Sequence, residues 1–271
     1  MEIKYKKFDP TGNVTLIVET PVQRADQPAV AAKLMARDKS AEQVGFIEKP
    51  CFEGSVLRLQ MMGGEFCGNA SISTAALSLS TRKPEADEKD EIMLEISGAE
   101  KPLKVSIEYC GEDTYSGSVA MPLPESNFDC ELVFEGKRMT LPVVRMPGIA
   151  HAIVTDALSP AFAEKAISEW CRQLNAEALG IMFYDREKKL LNPLVYVEST
   201  GSTVWESSCA SGSCAVAAYE SSRTGESTSL SLRQPGGTLK VESFCKSGAL
   251  FGLTLTGKVK LCGSYRAEID T

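Results

Sequence analysis

The chain has 271 residues, enough for two domains of about 100–150 residues that each bury a core. Its 29 basic and 36 acidic residues leave a net charge of −7, so no basic field is present to attract nucleic acid or an anionic membrane surface. The opening residues carry no apolar signal core, and no later run approaches the roughly 20 apolar residues that cross a bilayer, so the expected location is cytoplasmic.

From the N-terminus, a short apolar run at 14–18 predicts a strand, 28–36 a helix stopped by polar Arg37-Asp38, and 56–59 another strand. A helix is expected from Cys67 to about Ser80, then a solvated acidic loop at 85–91 and a strand at 93–96. In the remainder, helices are expected at about 160–173 and 209–224, and strands at 194–197 and 250–255. The expected fold class is α+β, dominated by strands.

The two halves echo each other. Gly12-Asn13-Val14-Thr15-Leu16-Ile17-Val18 is answered by Gly148-Ile149-Ala150-His151-Ala152-Ile153-Val154, a shift of 148 − 12 = 136. Val44-Gly45-Phe46-Ile47 is answered by Leu179-Gly180-Ile181-Met182 (179 − 44 = 135), and Leu103-Lys104-Val105 by Leu239-Lys240-Val241 (239 − 103 = 136). Cys67, with Ser71 and Ala75-Ala76 behind it, is answered by Cys209, with Ser213 and Ala217-Ala218 behind it (209 − 67 = 142). Four matches in one order predict a duplicated unit, with domains at 1–122 and 123–271 and a last strand that can return to the first domain. A pseudo-twofold relation between such domains would set Cys67 and Cys209 face to face.

Nine cysteines, an odd number without an export signal, read as reduced thiols. One histidine and no Cys-x-x-Cys pair leave the usual zinc sites without ligands, so no metal is expected. Cys67-Gly68-Asn69-Ala70-Ser71 and Cys209-Ala210-Ser211-Gly212-Ser213 each open a helix whose first N–H groups have no intrahelical acceptor. Such N–H groups suit a substrate carboxylate, and a helix start is expected to lower a thiol's pKa. One thiolate would remove an α-proton and the opposite thiol would return one to the other face, with donors at the carboxylate stabilising the enediolate-like charge between the two steps. Ordinary buried cysteines, or a redox pair, are the competing readings. The other seven cysteines, Cys214 included, read as packing residues. His151 reads as a hydrogen-bonded core residue, and Trp205 as a pocket wall or core.

On these motifs the chain resembles the diaminopimelate epimerase fold family of cofactor-free racemases, along nearly its whole length. The resemblance implies two pseudo-symmetric domains, each a curved, mostly antiparallel sheet around a central helix, and commonly a homodimer. It implies that Asn13 and Gln43 bind substrate by their side chains, and that Gly68, Asn69, Ala210 and Ser211 cradle its α-carboxylate. Diaminopimelate itself fits poorly. The family's Gly-Asn-Pro-His turn is Gly148-Ile149-Ala150-His151 here, and the run Val204 to Cys209 lacks the arginine that grips a distal carboxylate, although Asn192 is available for one retained contact. The strings Asp9-Pro10-Thr11-Gly12-Asn13, Glu42-Gln43-Val44-Gly45-Phe46-Ile47-Glu48, Glu65-Phe66-Cys67-Gly68-Asn69-Ala70, Trp205-Glu206-Ser207-Ser208-Cys209 and Gln234-Pro235-Gly236-Gly237 are more similar to the histidine racemases of the same fold, which serve opine-type metallophore synthesis. That likeness implies a free amino acid as substrate, no cofactor, and Glu206 and possible Glu42 beside the substrate ammonium or a thiol. A diaminopimelate epimerase, a racemase of another amino acid, a phenazine-type isomerase, and a non-catalytic amino acid binder or redox sensor are the alternatives.

Overall fold

Period-two alternation in the first strand, β1 (Glu2–Pro10), buries Ile3 and Tyr5 and turns Glu2 and Lys4 to solvent, and an irregularity between Lys7 and Phe8 shifts the phase so that Phe8 is buried in turn. The same logic governs most of the chain, seen here in a computed structural model that describes residues 1–270. Two compact units result: Met1–Ala120 together with the chain from Thr256 onward, and Met121–Leu255.

The first unit continues through β2 (Thr15–Val18), α1 (Gln27–Arg37), β3 (Gln43–Glu48), β4 (Leu57–Met61), α2 (Gly68–Ser80), β5 (Lys89–Ile96), β6 (Leu103–Gly111) and β7 (Thr114–Ala120). The second comprises β8 (Ser126–Phe134), β9 (Lys137–Met146), β10 (Ile149–Val154), α3 (Pro160–Gln173), β11 (Ala178–Asp185), β12 (Leu190–Val197), β13 (Ser202–Trp205), α4 (Ala210–Thr224), β14 (Thr228–Gln234) and β15 (Gly237–Lys246). A long last strand, β16 (Ala249–Glu268), gives its residues up to Leu255 to the second unit and the rest to the first.

The element order and pairing repeat as the sequence echoes predict. β2 pairs β3 in parallel and β10 pairs β11 in parallel, with Leu16 opposite Val44 and Ala152 opposite Ile181. β3–β4 and β11–β12 are antiparallel, β4–β5 and β12–β14 parallel, and β5–β6 and β14–β15 antiparallel. In the first unit β16 lies between β7 and β1, running antiparallel to β1 from Glu268 opposite Glu2 to Val259 opposite Pro10, so that sheet closes on itself. The architecture is mixed α and β, a curved sheet with few helices.

Each unit has one helix enclosed by its strands and one on the other face. α2 is buried on every side along Gly68–Leu77, which its small residues permit. Gly117 on β7 shows how little room remains, since a Cβ there would fall 2.4 Å from Ile72 Cγ2. Its buried hydroxyls are satisfied locally: Ser73 Oγ donates to Asn69 O at 2.9 Å and Thr74 Oγ1 to Ala70 O at 2.9 Å. α4 is enclosed in the same way, whereas α3 lays Ala163, Ala166, Ile167 and Trp170 on the opposite face of its sheet with Leu179, Ile181 and Leu194. α1 does the same in the first unit with Val30, Ala31 and Leu34 on Leu16, Val18, Val44 and Phe46.

All four expected helices are present within about a residue of their expected bounds. The acidic run differs: it is a turn only as far as Glu88, and from Lys89 it is the first part of β5, with Asp90 paired to Arg82 and Glu91 to Lys104 across the sheet surface. Cross-strand charge pairing makes a strand of what its charge density alone reads as loop.

Candidate active site

Cys67 and Cys209 hold the same position on equivalent helices. Each is the N-cap, with extended backbone at φ −131°, ψ 113° and φ −121°, ψ 110°, and each thiol takes the place of a serine hydroxyl in the cap. Cys67 Sγ accepts from Ala70 N at 3.5 Å and Cys209 Sγ from Gly212 N at 3.3 Å. Behind them Ser71 Oγ donates to Cys67 O and Ser213 Oγ to Cys209 O, both at 2.7 Å. Among the remaining N–H groups of the first helical turns are those of Gly68, Ala210 and Ser211, three of the four cradle residues that the resemblance implies, while the N–H of the fourth, Asn69, acts on the Cys67 sulfur.

Around Cys67 the other neighbours are amides. The thiol donates to Gln43 Oε1 at 3.2 Å, while Gln43 Nε2 donates to Asn13 Oδ1 at 2.6 Å and Thr15 Oγ1 at 2.7 Å. Asn13 Oδ1 also accepts from Asn69 Nδ2 at 3.2 Å, and Asn13 Nδ2 donates to Glu42 Oε2 at 2.5 Å. The structure therefore joins Asn13, Glu42, Gln43, Cys67 and Asn69 in one network, with Asn13 and Asn69 buried and Glu42 at its rim.

Around Cys209 the neighbours are a carboxylate and a hydroxyl. The thiol hydrogen-bonds the Glu206 carboxylate, and its Sγ lies 3.5 Å from Ser211 Oγ. Ser211 Oγ in turn lies 3.1 Å from Nε2 of His151, which is fully buried as expected and whose Nδ1 has no hydrogen-bond partner.

The thiols are less acidic than a helix start alone predicts. Burial pushes Cys67 up to about 11, against the opposing pull of the Ala70 N–H. Burial also raises Cys209, strengthened by the Glu206 charge and opposed by Ser211 and the Gly212 N–H. The helix N–H groups do act in the expected direction, but desolvation of the sulfur outweighs them. Both cysteines rest as thiols. Burial alone keeps His151 neutral, its pKa lowered to about 3.

Further expectations from the sequence are corrected: of the seven cysteines read as packing residues, Cys51, Cys110 and Cys262 are exposed. Trp205 is neither core nor a wall beside Cys209: it is 40% exposed, donates Nε1–H to Glu164 on α3 at 2.6 Å and packs on Phe183. Asn192 lies opposite Phe183 in the β11–β12 ladder, exposed on that same α3 side of the sheet.

Histidine racemases of known sequence match the chain closely. One from Fusobacterium nucleatum subsp. nucleatum is 32% identical over 228 residues, covering 80% of each protein, and one from Staphylococcus aureus is 24% identical over 280 residues, covering 99% of this chain and 98% of the relative. Residues 2–267 match the family described as the histidine racemase CntK N-terminal domain. The chain belongs to the histidine racemase family. Solved structures of the same fold include a hydroxyproline epimerase from Agrobacterium vitis (TM-score 0.71, 14% identity, covering 100% of this chain and 93% of that one) and a probable proline racemase from Agrobacterium radiobacter (TM-score 0.73, 12% identity, 99% and 93%).

Within this family member the segment leading into each thiol is held by a turn from the neighbouring hairpin, a role that no residue type or spacing in the sequence assigns. Gln234 is buried, accepts from Cys209 N at 2.8 Å and donates to Ser213 Oγ at 2.9 Å, while Gly236 N donates to Ser207 O at 2.8 Å. In the first unit Ser97 Oγ donates to Glu65 O at 2.7 Å, and Gly98, at φ +76°, passes so close that a Cβ would fall 2.6 Å from Phe66 N. The string Gln234-Pro235-Gly236-Gly237 was the available signal for the first of these devices; a lone Ser97-Gly98 offered none.

Proposed function

We propose that the chain interconverts L- and D-histidine by a two-base mechanism that uses Cys67 and Cys209 and no cofactor. The observation that carries the reading is the pair of thiols capping equivalent helix starts, in a chain that belongs to the histidine racemase family. Free amino acids racemise slowly because the carbanion borders a carboxylate that already bears charge. First-turn N–H groups at Gly68, Asn69, Ala210 and Ser211 bind that carboxylate and stabilise the enediolate-like charge as it grows, each such donor contributing roughly 3 kcal/mol where water is excluded.

Both thiols rest protonated in the free enzyme, so ionisation belongs to the binding event. The substrate ammonium brings a positive charge beside one sulfur, which offsets desolvation and favours its thiolate. The proton of the ionising thiol goes to the Glu206 carboxylate on the Cys209 side or the Glu42 carboxylate on the Cys67 side, while Asn13 and Gln43 accept hydrogen bonds from the ammonium. The thiolate then takes the α-proton as the second thiol delivers its own to the opposite face, and the two exchange roles for the other enantiomer. Without an arginine between Val204 and Cys209, a second carboxylate in the pocket would lie unpaired, which supports a one-headed substrate. A free amino acid partner, a homodimer, a cytoplasmic location and service to metallophore synthesis complete the proposal; in the described residues no helix is long and apolar enough to cross a membrane.

The test is L-histidine in deuterium oxide with the purified chain and no added pyridoxal phosphate. D-histidine carrying α-deuterium is expected, with loss of the circular dichroism signal to zero. No exchange with any free amino acid overturns the racemase, and faster turnover of diaminopimelate overturns the specificity alone.

A further inference from the structure

His151 is the only histidine of the chain and sits in β10 with no solvent exposure. Its ring fits because its parallel partner on β11 is Gly180, where a Cβ would fall 2.4 Å from His151 Nδ1. From Nε2 a chain of two contacts leads to the sulfur: 3.1 Å to Ser211 Oγ, then 3.5 Å to Cys209 Sγ. All three residues belong to the second unit.

We propose that His151 is a positioning residue for Cys209: its neutral imidazole donates Nε2–H to Ser211 Oγ, turning the Ser211 hydroxyl proton onto Cys209 Sγ and favouring the thiolate form of that cysteine. This deepens the racemase reading and rests on it for its catalytic meaning.

The direction of the relay follows from the unpartnered Nδ1. If Nδ1 carried the proton, a fully buried N–H would have no acceptor, and orphaned donors are the rarer and costlier kind. The proton therefore sits on Nε2, which makes His151 a fixed donor. Ser211 Oγ accepts that proton and has its own O–H left to give. A thiolate at Cys209 accepts it as a charge-assisted hydrogen bond, whereas the thiol, with its own proton on Glu206, offers only the weak acceptor of a neutral sulfur. Because burial holds the imidazole neutral, the relay keeps its direction throughout the physiological range. The other groups acting on Cys209 are the Glu206 carboxylate, which favours the thiol, and the Gly212 N–H, which favours the thiolate. Glu206 is the charged neighbour that acts on Cys209, and burial is what acts on His151.

The first unit has no such relay. By the shifts of the duplication, His151 answers to Thr15 (151 − 136 = 15) and Ser211 to Asn69 (211 − 142 = 69). Thr15 Oγ1 donates to Asn13 O at 3.0 Å and Asn69 Nδ2 to Asn13 Oδ1, so both serve the amide network. The histidine is thus a specialisation of the Cys209 side.

The test is the pH dependence of Cys209 alkylation by iodoacetamide in the full-length protein, read by mass spectrometry of the Cys209 peptide, with Cys67 alkylation and the melting temperature as checks on folding. It reads the thiol itself, so its outcome is independent of whether histidine is turned over. His151→Leu and Ser211→Ala are each expected to slow Cys209 alkylation at neutral pH by about three- to tenfold and to move its midpoint to higher pH, the size of one ordinary hydrogen bond. His151→Gln, which keeps an N–H donor, is expected to restore most of the loss. An unchanged or lowered midpoint in both variants overturns the proposal, as does a shift in Ser211→Ala without one in His151→Leu. Should His151→Leu fail to fold, Ser211→Ala against His151→Gln decides the matter on the same readout.

Discussion

The thiol of the first unit and the thiol of the second share a backbone and differ in company. Cys67 gives its proton to the neutral oxygen of Gln43 inside a mesh of amides; Cys209 stands between the Glu206 carboxylate and the Ser211 hydroxyl, with His151 behind. Duplication has kept what the backbone supplies, the cap geometry and the first-turn N–H groups, and has let the side chains diverge. The two bases of the proposed reaction are therefore unequal, although they must exchange roles. Thermodynamics limits how that inequality can be expressed. Enantiomers have the same free energy, so kcat/KM for L- and D-substrate must remain equal in every variant, and an asymmetric change can enter only kcat and KM separately.

The comparison breaks most severely when either sulfur is removed. Cys67→Ser and Cys209→Ser are each expected to lower racemisation by at least ~10³-fold, while each variant still exchanges the α-proton of one enantiomer with solvent, and the opposite enantiomer in the two cases. Deuterium incorporation without inversion, followed for each enantiomer, checks this; equal exchange of both enantiomers by one variant would show that a single side handles both faces.

Glu206→Gln sharpens the contrast because its two effects have opposite signs. Loss of the carboxylate removes a like charge from Cys209, so alkylation of that thiol at neutral pH should accelerate while kcat/KM falls by roughly 10–100-fold. Gln43→Leu removes a neutral acceptor from Cys67 and a neutral donor from Asn13 and Thr15, and with no charge lost a decrease of about tenfold is expected, with Cys209 alkylation unchanged. Steady-state kinetics beside alkylation rates separates the two sides.

Since burial raises both thiols, the thiolate fraction of the free enzyme grows with pH below their midpoints. The expected kcat/KM rises through the range of about pH 7 to 9, up to tenfold per unit, and a profile flat from neutral pH would show a thiolate already formed. The smallest effect concerns stability. His151 stays neutral when folded, so stability held above its ordinary value of 6.5 is lost as pH falls toward about 3. By pH 5 this costs about 2 kcal/mol, and His151→Gln should flatten the acid side of a Tm-against-pH curve without raising Tm at neutral pH.

Much of this arrangement is legible in the chain itself. Short runs at 14–18 and 149–154 and the matched cysteines fix the repeated element order, because apolar period and glycine-bounded turns report burial directly. The helix starts were readable because caps are local. What the sequence hid was non-local: Gln234 reaches back 25 residues to the Cys209 N–H, and His151 reaches forward 60 to Ser211, contacts no spacing rule announces. Trp205 misled for a related reason, since alternation along β13 gives two faces and only the β12 ladder, with Leu194 opposite Trp205, says which one α3 covers. The thiol acidity misled because a helix start is visible in sequence and desolvation is not.

The last strand has a consequence for how the protein is made. Residues 121–255 form one unbroken stretch, so that unit can fold on the ribosome as soon as it has emerged. The first unit, although translated before the second, lacks the strand between β7 and β1 until the residues from Thr256 to Glu268 arrive. Until that moment β1 and β7 present open edges to any passing strand. The nascent chain carries its first-made half unfinished until those residues emerge, and a cut after Leu255 would spoil not the part just made but the part made first.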